Sequence, residues 1–336
     1  GRTRLDRLMP RLIIDCARAR EPVTTLARAV RLLEAIGRRT AYFALLAENP
    51  SALGQLVNLA AASGFVASWI GSHPALLDEL LDPRSLYALP TRDTLEAELR
   101  ARLASLAADD LEAQLNLLRE FRNSQMLRVA ATDLGPGLAP DEVGRHLSQL
   151  AELLVTVALD LARAELSKRH GQPRDARGAV PGFAVIAYGK LGSLELGYGS
   201  DLDMVFLYED GAGQTDGARA IPNELYFARL GQRLIHFLTA RTAAGILYDV
   251  DMRLRPSGRS GLLVTSVDAY RTYQSSKAWT WEHQALVRSR AIAGAAGPRA
   301  RFDAIRREVL CLPREAEKLR VEVRDMRARM LAAHAG

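Results

Sequence analysis

Two cysteines, Cys16 and Cys311, are all that the sequence holds. They stand far apart and no Cys-x-x-Cys occurs, which argues against a zinc cluster or a disulfide scaffold and favours a reducing, cytoplasmic setting. No apolar run approaches the ~20 residues needed to cross a bilayer, so no membrane partner is expected. The opening GRTRLDRLMP has neither an initiator Met nor an apolar signal core. The end, Ala335-Gly336, follows directly on a helical pattern, and the chain is expected to be a piece of a longer protein. There is no internal repeat. No histidine pair has metal-ligand spacing, and Glu282-His283 does not extend to His-Glu-x-x-His. Ser200 has no histidine near it in sequence, which disfavours a serine nucleophile. The glycine-rich run lacks the Gly-Lys-Ser/Thr of a P-loop, and Leu202 stands where Gly-x-Gly-x-x-Gly needs its last glycine. Basic residues are not interleaved with aromatics, as a single-strand groove requires, so no nucleic-acid partner is expected.

What is present is an ordinary globular composition, 48% hydrophobic and 25% charged. At 336 residues the chain exceeds what one core usually holds, so two domains are the starting expectation. The net charge of +6 favours phosphate-bearing or acidic partners, although the arginines are scattered along helix faces rather than clustered.

The spacing predicts a helical region over residues 1–170. Apolar residues recur every three or four positions in Leu26, Val30, Leu33 and Ile36. The same spacing holds for Leu111, Leu115, Leu118 and Phe121, and for Leu150, Leu154, Val157 and Leu161. Breakers divide the runs at Asn49-Pro50, His73-Pro74, Asp82-Pro83 and Gly135-Pro136-Gly137. A polar stretch at 170–182 then leads into strand-like patterns at 183–188, 202–208, 247–255 and 262–265, with Ser266 placed to cap a following helix. Phe227, Leu230, Leu234 and Phe237 mark an amphipathic helix between the second and third strands. The loop 211–222 reads as mobile. Residues 183–300 are expected to form an α+β catalytic domain with a small mixed sheet. Residues 313–336, striped by Leu319, Val323, Met326 and Met330, are expected to open a further helical domain.

The chemistry concentrates in AYGKLGSLELGYGSDLDMVF, residues 187–206. Gly199 and Ser200 sit at a helix-to-strand turn, where backbone N–H groups and a hydroxyl can hold phosphate oxygens. Asp201 and Asp203 are two apart, so on a strand their carboxylates share a side. Such a pair stays ionised when cations lie between the acids, most commonly Mg2+ with nucleotide phosphates. Asp251, on the polar side of the alternating 247–255 segment, is the best third acid for a two-metal site. Arg253 and Arg255 follow it on that side and, with Lys190, are candidate phosphate contacts. Alone, an Asp-x-Asp is ordinarily a turn or a cap, and Trp279 and Trp281 read more readily as core than as a nucleobase platform. The combination of turn, paired acids, third acid and arginines lifts the metal reading.

The Gly-Ser-Asp-Leu-Asp strand with a downstream acid resembles the polymerase-β-like nucleotidyltransferase fold. The longer stretches AYGKLGSLELGYGSDLDMVFLY, GILYDVDMRLRPSGRSGLLVTS and AWTWEHQALVRSRAIAG resemble glutamine synthetase adenylyltransferase, as do HPALLDELLDPRSLY and LREFRNSQMLRVAATDL. That family pairs an adenylyl-removing half with an adenylyl-adding half. One Gly-Ser-Asp-Leu-Asp occurs here, and Trp-Glu-His-Gln-Ala-Leu-Val-Arg (281–288) with Arg-Pro-Ser-Gly (255–258) resembles the adding half. The resemblance implies transfer of AMP from ATP to a tyrosine of glutamine synthetase with two Mg2+ ions. Asp201 and Asp203 would coordinate both metals, Asp251 would bind one and help deprotonate the tyrosine, and Gly199-Ser200 would hold the β- and γ-phosphates. The helical region would help dock the synthetase, and helices beyond this chain would help bind the PII signal protein. The alternatives are an adenylyl-removing phosphorolase, with phosphate as nucleophile and ADP as product, and a non-catalytic binding module.

Overall fold

The computed structural model describes residues 2–37, 39–135, 137–209, 211–242 and 244–334. Pro136, Ala335, Gly336 and the side chain of Met330, named above, lie outside them. The chain divides into two compact units, one of residues 1–150 with 242–245, the other of 151–241 with 246–336.

The first unit is helical: α1 (Arg2–Ala17), α2 (Pro22–Ile36), α3 (Thr40–Glu48), α4 (Pro50–Ala62), α5 (Gly64–Ser72), a 3-10 helix (Pro74–Leu81), α6 (Pro83–Leu86), α7 (Arg92–Ala104), α8 (Leu111–Leu134) and the start of α9 (Pro140–His170). The prolines 50, 74 and 83 fall at helix starts, where the missing N–H is no loss. Ser63, Thr91 and Asp110 cap α5, α7 and α8 with side-chain oxygens on backbone N–H groups. The deepest stripe of α2 runs through Thr25, Ala29, Leu32, Leu33 and Ile36, a small rotation from the spacing-based face, since Leu26 and Val30 are half-buried. In α8 the buried face includes Gln114, Arg119, Asn123, Ser124 and Gln125, polar residues that hydrophobic spacing does not reveal.

The second unit continues α9 and holds two sheets. Its remaining elements are β1 (Pro173–Asp175), β2 (Phe183–Ala187), α10 (Gly189–Gly192), β3 (Leu202–Tyr208), β4 (Gly213–Thr215), α11 (Asn223–Thr239), β5 (Val250–Asp251), β6 (Val264–Ser266), α12 (Val267–Ser276), α13 (Thr280–Val287), β7 (Arg290–Gly294), α14 (Ala296–Leu310) and α15 (Ala316–His334). The five-stranded sheet is mixed and ordered β5-β3-β2-β7, with β6 also on β3. β2 is antiparallel to β3 and β7; β5 and β6 run parallel to β3. β2 is buried throughout and β3 nearly so, as continuous apolar strands between layers should be. Phe227, Leu230, Leu234 and Phe237 of α11 are all buried, each contributing about 1.5–3 kcal/mol. Ser266 caps α12 by accepting from the Ala269 N–H at 3.2 Å.

Three expectations are corrected. The alternating segment 247–255 is not one strand: only Val250–Asp251 pairs with β3, and the chain then turns. The Leu247 and Tyr248 N–H groups are taken by the Leu238 carbonyl, and Arg255 closes the turn. The loop 211–222 is structured, for β4 pairs with β1 in a two-stranded antiparallel ribbon. Asp216 fastens it, accepting from the Gln172 N–H at 2.7 Å and Arg174 Nε at 2.8 Å. Trp279 and Trp281 are not core: they are 69% and 36% exposed. β7 also extends the sheet where no strand was expected.

Candidate nucleotidyl-transfer site

The site is built on the N-terminal end of β3, where three chain segments meet. Asp201 precedes the strand and Asp203 lies on it. Parallel pairing sets Asp203 opposite Asp251, and the Leu202 N–H donates to the Asp249 carbonyl at 2.9 Å. On the other side the chain leaves β2 at Tyr188, whose N–H donates to the Asp203 carbonyl at 2.8 Å. Gly189 follows with φ +55°, and a side chain there would run into Asp203 Oδ2. Only glycine satisfies both the left-handed backbone and this close approach. The Tyr188-Gly189 corner on one side and the pairing with β5 on the other thus hold Asp203 in place.

The electrostatics follow from this convergence. Burial, then the charges of Asp201 and Asp251, push the Asp203 carboxyl above the ordinary range, while Arg253 and Lys190 pull the other way. For Asp251 burial also pushes upward, but Arg253 outweighs it and holds the carboxyl below its ordinary range. The Arg253 N–H donates to Asp251 Oδ1 at 2.8 Å and its Nε to Oδ2 at 2.6 Å. The Asp251 side chain is 12% exposed and that of Arg253 67%.

Gly199 is exposed, with open space where a side chain would be. The turn around it is self-bonded: Ser200 Oγ accepts from the Gly197 N–H at 3.1 Å, and the Ser200 N–H donates to the Gly197 carbonyl at 3.2 Å. Arg255 is committed to its own turn, donating to the carbonyls of Met252 at 2.8 Å, Arg259 at 3.1 Å and Gly261 at 3.3 Å. Three of its five N–H donors go to backbone in this arrangement.

Several supporting residues escaped the sequence reading. Arg288 donates to Ser193 Oγ at 2.9 Å and pairs with Glu195, holding the loop that leads to Gly199. Arg290 donates to the Leu191 carbonyl at 3.3 Å and pairs with the buried Glu152. Both arginines lie in the AWTWEHQALVRSRAIAG stretch, but nothing local distinguishes them from surface arginines. Gly189 carried a weak signal, a glycine directly after an apolar strand.

The donor set suits a hard divalent cation. Three carboxylates converge, one of them half-buried against two like charges, and a cation would relieve that repulsion. Among the described residues no three ligating side chains are drawn into a closed cluster. Both Asp251 oxygens face Arg253 in this arrangement.

A helical region followed by a small mixed sheet with flanking helices, and acids at one end of a central strand, is the α+β architecture of the nucleotidyltransferases. The chain belongs to the glutamate-ammonia ligase adenylyltransferase family, whose model matches residues 53–305. It is 53% identical, over its whole length, to the bifunctional glutamine synthetase adenylyltransferase/adenylyl-removing enzyme of Thioalkalivibrio sulfidiphilus. It is 52% and 49% identical, over 98% of its length, to the proteins of that name from Nitrosococcus oceani and Pseudomonas putida. The chain spans about 35% of the length of the first two relatives and 34% of the third.

Proposed function

We propose that the chain transfers AMP from ATP to a tyrosine of glutamine synthetase, releasing pyrophosphate and lowering nitrogen assimilation. The observation that carries this reading is the register that sets Asp203 opposite Asp251 with Asp201 one residue before the strand. The names of the relatives supply the protein substrate, and the sequence resemblance supplies the tyrosine. Residues 183–300 are the catalytic portion in this reading, and residues 1–170 help dock the synthetase.

Asp201, Asp203 and Asp251 would hold two Mg2+ ions, Asp251 once Arg253 has left it. Bound there, the ions would screen the phosphates and favour the ionised phenol. The backbone of Gly199 and the Ser200 hydroxyl hold the β- and γ-phosphates, and Lys190 adds positive charge beside Asp203. The acceptor phenol has a pKa near 10, so a base must take its proton as it attacks. Asp251, ionised beforehand by its pairing with Arg253, accepts that proton. The phenol oxygen bonds to the α-phosphorus as the bond to the β-phosphate oxygen breaks, and Arg253, freed from Asp251, meets the charge developing on the pyrophosphate. Arg255 keeps the turn that carries Arg253 in shape.

The test is incubation with Mg2+, α-labelled ATP and unmodified glutamine synthetase, alongside Asp201→Asn and Asp251→Asn. Label on the synthetase that is lost in both variants supports the reading. No label, but ADP released from adenylylated synthetase on adding phosphate, assigns the chain to the adenylyl-removing direction, which the bifunctional relatives also carry. Neither activity sinks both.

A further inference from the structure

Asp203 is held by main chain, and that main chain is anchored by a bond that the transfer reaction does not use. Tyr188, whose N–H grips the Asp203 carbonyl, sends its ring into a core of Ala184, Ile186, Val205, Leu207 and Phe302. Its hydroxyl meets the Tyr270 hydroxyl there at 2.6 Å, and both tyrosines are fully buried. A phenylalanine would fill either position. A hydroxyl in such surroundings costs free energy unless it is bonded, so the pair constrains geometry as well as filling space. Burial pushes both phenols well above their ordinary range, so both stay protonated at working pH.

The bond closes a circuit that begins and ends on β3. β3 pairs with β6, β6 runs into α12 through the Ser266 cap, Tyr270 lies one turn into α12, and its partner Tyr188 returns to Asp203. Tyr273 fixes the same helix to α13, its hydroxyl donating to the buried Glu282 at 2.9 Å. The tolerance at the far end is small, because Gly189, next to Tyr188, leaves no room for even a methyl group beside the Asp203 carboxylate. A shift of the Tyr188 corner therefore moves the carboxylate.

We propose that the hydroxyl bond between Tyr188 and Tyr270 makes Tyr188 a positioning residue for Asp203 as a metal ligand. This rests on the carboxylate reading of the site and deepens it. The experiment uses the whole chain and Mn2+ as the probe, with free Mn2+ read by electron paramagnetic resonance. Tyr188→Phe, Tyr270→Phe and the double variant are compared with wild type and Asp203→Asn. Tyr226→Phe, which removes a buried hydroxyl bonded to Ser167 at 3.3 Å, is the matched control. Either single variant should weaken Mn2+ binding about 10-fold, the lower end of what partners behind a metal ligand supply. The double variant should lose no more than the singles, because one bond is removed in each case. The kcat for AMP transfer should fall in step while the KM for ATP holds, and Tyr226→Phe should bind Mn2+ as wild type does. Unchanged Mn2+ affinity in both phenylalanine variants, with thermal stability reduced, would make the bond merely structural and overturn the proposal. If wild type binds no Mn2+, or Asp203→Asn binds it equally well, the metal reading itself falls and takes this proposal with it.

Discussion

Both units bury polar side chains, and Arg119 in one and Asp203 in the other are treated differently. In the helical unit two buried groups of α8, Arg119 and Ser124, are matched. Arg119, fully buried, donates to the carbonyls of Leu115 at 2.7 Å and Gly245 at 3.1 Å. Ser124 donates to Glu79 at 2.6 Å, and Arg128 pairs with the other oxygen of that carboxylate at 3.0 Å. In the sheet unit Asp203 sits against two like charges, offset in part by Arg253 and Lys190. Matched burial of this kind stabilises a fold. Burial of like charges costs stability and is retained where a ligand is to complete it.

Removing Asp203 is the sharpest way to break the comparison. Asp203→Asn should lower AMP transfer on the order of 10³-fold or more. It should also stabilise the protein in EDTA. The native carboxyl has a raised pKa, so its contribution favours the fold below the unfolded value and is lost as pH rises through the folded one. At neutral pH the amide removes that penalty, and a gain in Tm of a few °C is expected from calorimetry. A loss of Tm in EDTA would show that Asp203 is matched as Arg119 and Ser124 are. Arg119→Leu should do the opposite. Two charge-assisted hydrogen bonds to backbone are lost, with an expected cost of about 3 kcal/mol by denaturant titration and no change in Mn2+ affinity.

What could be read in the sequence follows the same division between local and non-local causes. The strand 202–208, the α11 stripe and the Ser266 cap were legible because each is written in neighbouring residues. The β1–β4 ribbon was not, since Pro173 finds its partner at Thr215 and neither segment has a strong strand pattern. The alternation at 247–255 misled because pairing with β3 ends at Asp251 and the Arg255 staple turns the chain away. Trp279 and Trp281 were misjudged by residue type alone. At the site, Asp201 and Asp203 were expected on one strand; the strand begins after Asp201, yet the Asp201 charge still acts on Asp203. That Asp251 lies opposite Asp203, that Arg253 holds Asp251, and that Tyr188 grips Asp203 from β2 depend on sheet pairing that spacing does not encode.

Arg253 tests the comparison from the other side, because it partly matches what Asp203 lacks. Arg253→Gln should free Asp251 from the partner that outweighs its burial, so the carboxyl pKa rises. If Asp251 is the base, it is then lost at higher pH in the free enzyme, and the acid limb of the kcat/KM profile should move upward. Transfer at neutral pH should fall about 10- to 100-fold through loss of charge at the leaving group. An unmoved acid limb would mean that Asp251 is not the group titrating in that limb.

The smallest effect belongs to the β1–β4 ribbon, where a carboxylate is matched but exposed. A side-chain hydrogen bond from Arg174, then the Gln172 N–H, holds Asp216 below its ordinary range against a small opposing effect of burial. A depressed carboxyl contributes stability above its unfolded pKa, about 3.9, and loses it as pH falls through the folded value. Asp216→Asn should therefore lower Tm slightly at pH 7, and the difference from wild type should vanish below the folded value. Solvent screens an exposed pair, so the change should be small beside that of Arg119→Leu and shrink further in high salt. The same substitution should leave Mn2+ affinity untouched. If AMP transfer fell while Tm did not, the ribbon would belong with the open charges of the site rather than with the matched groups of the fold.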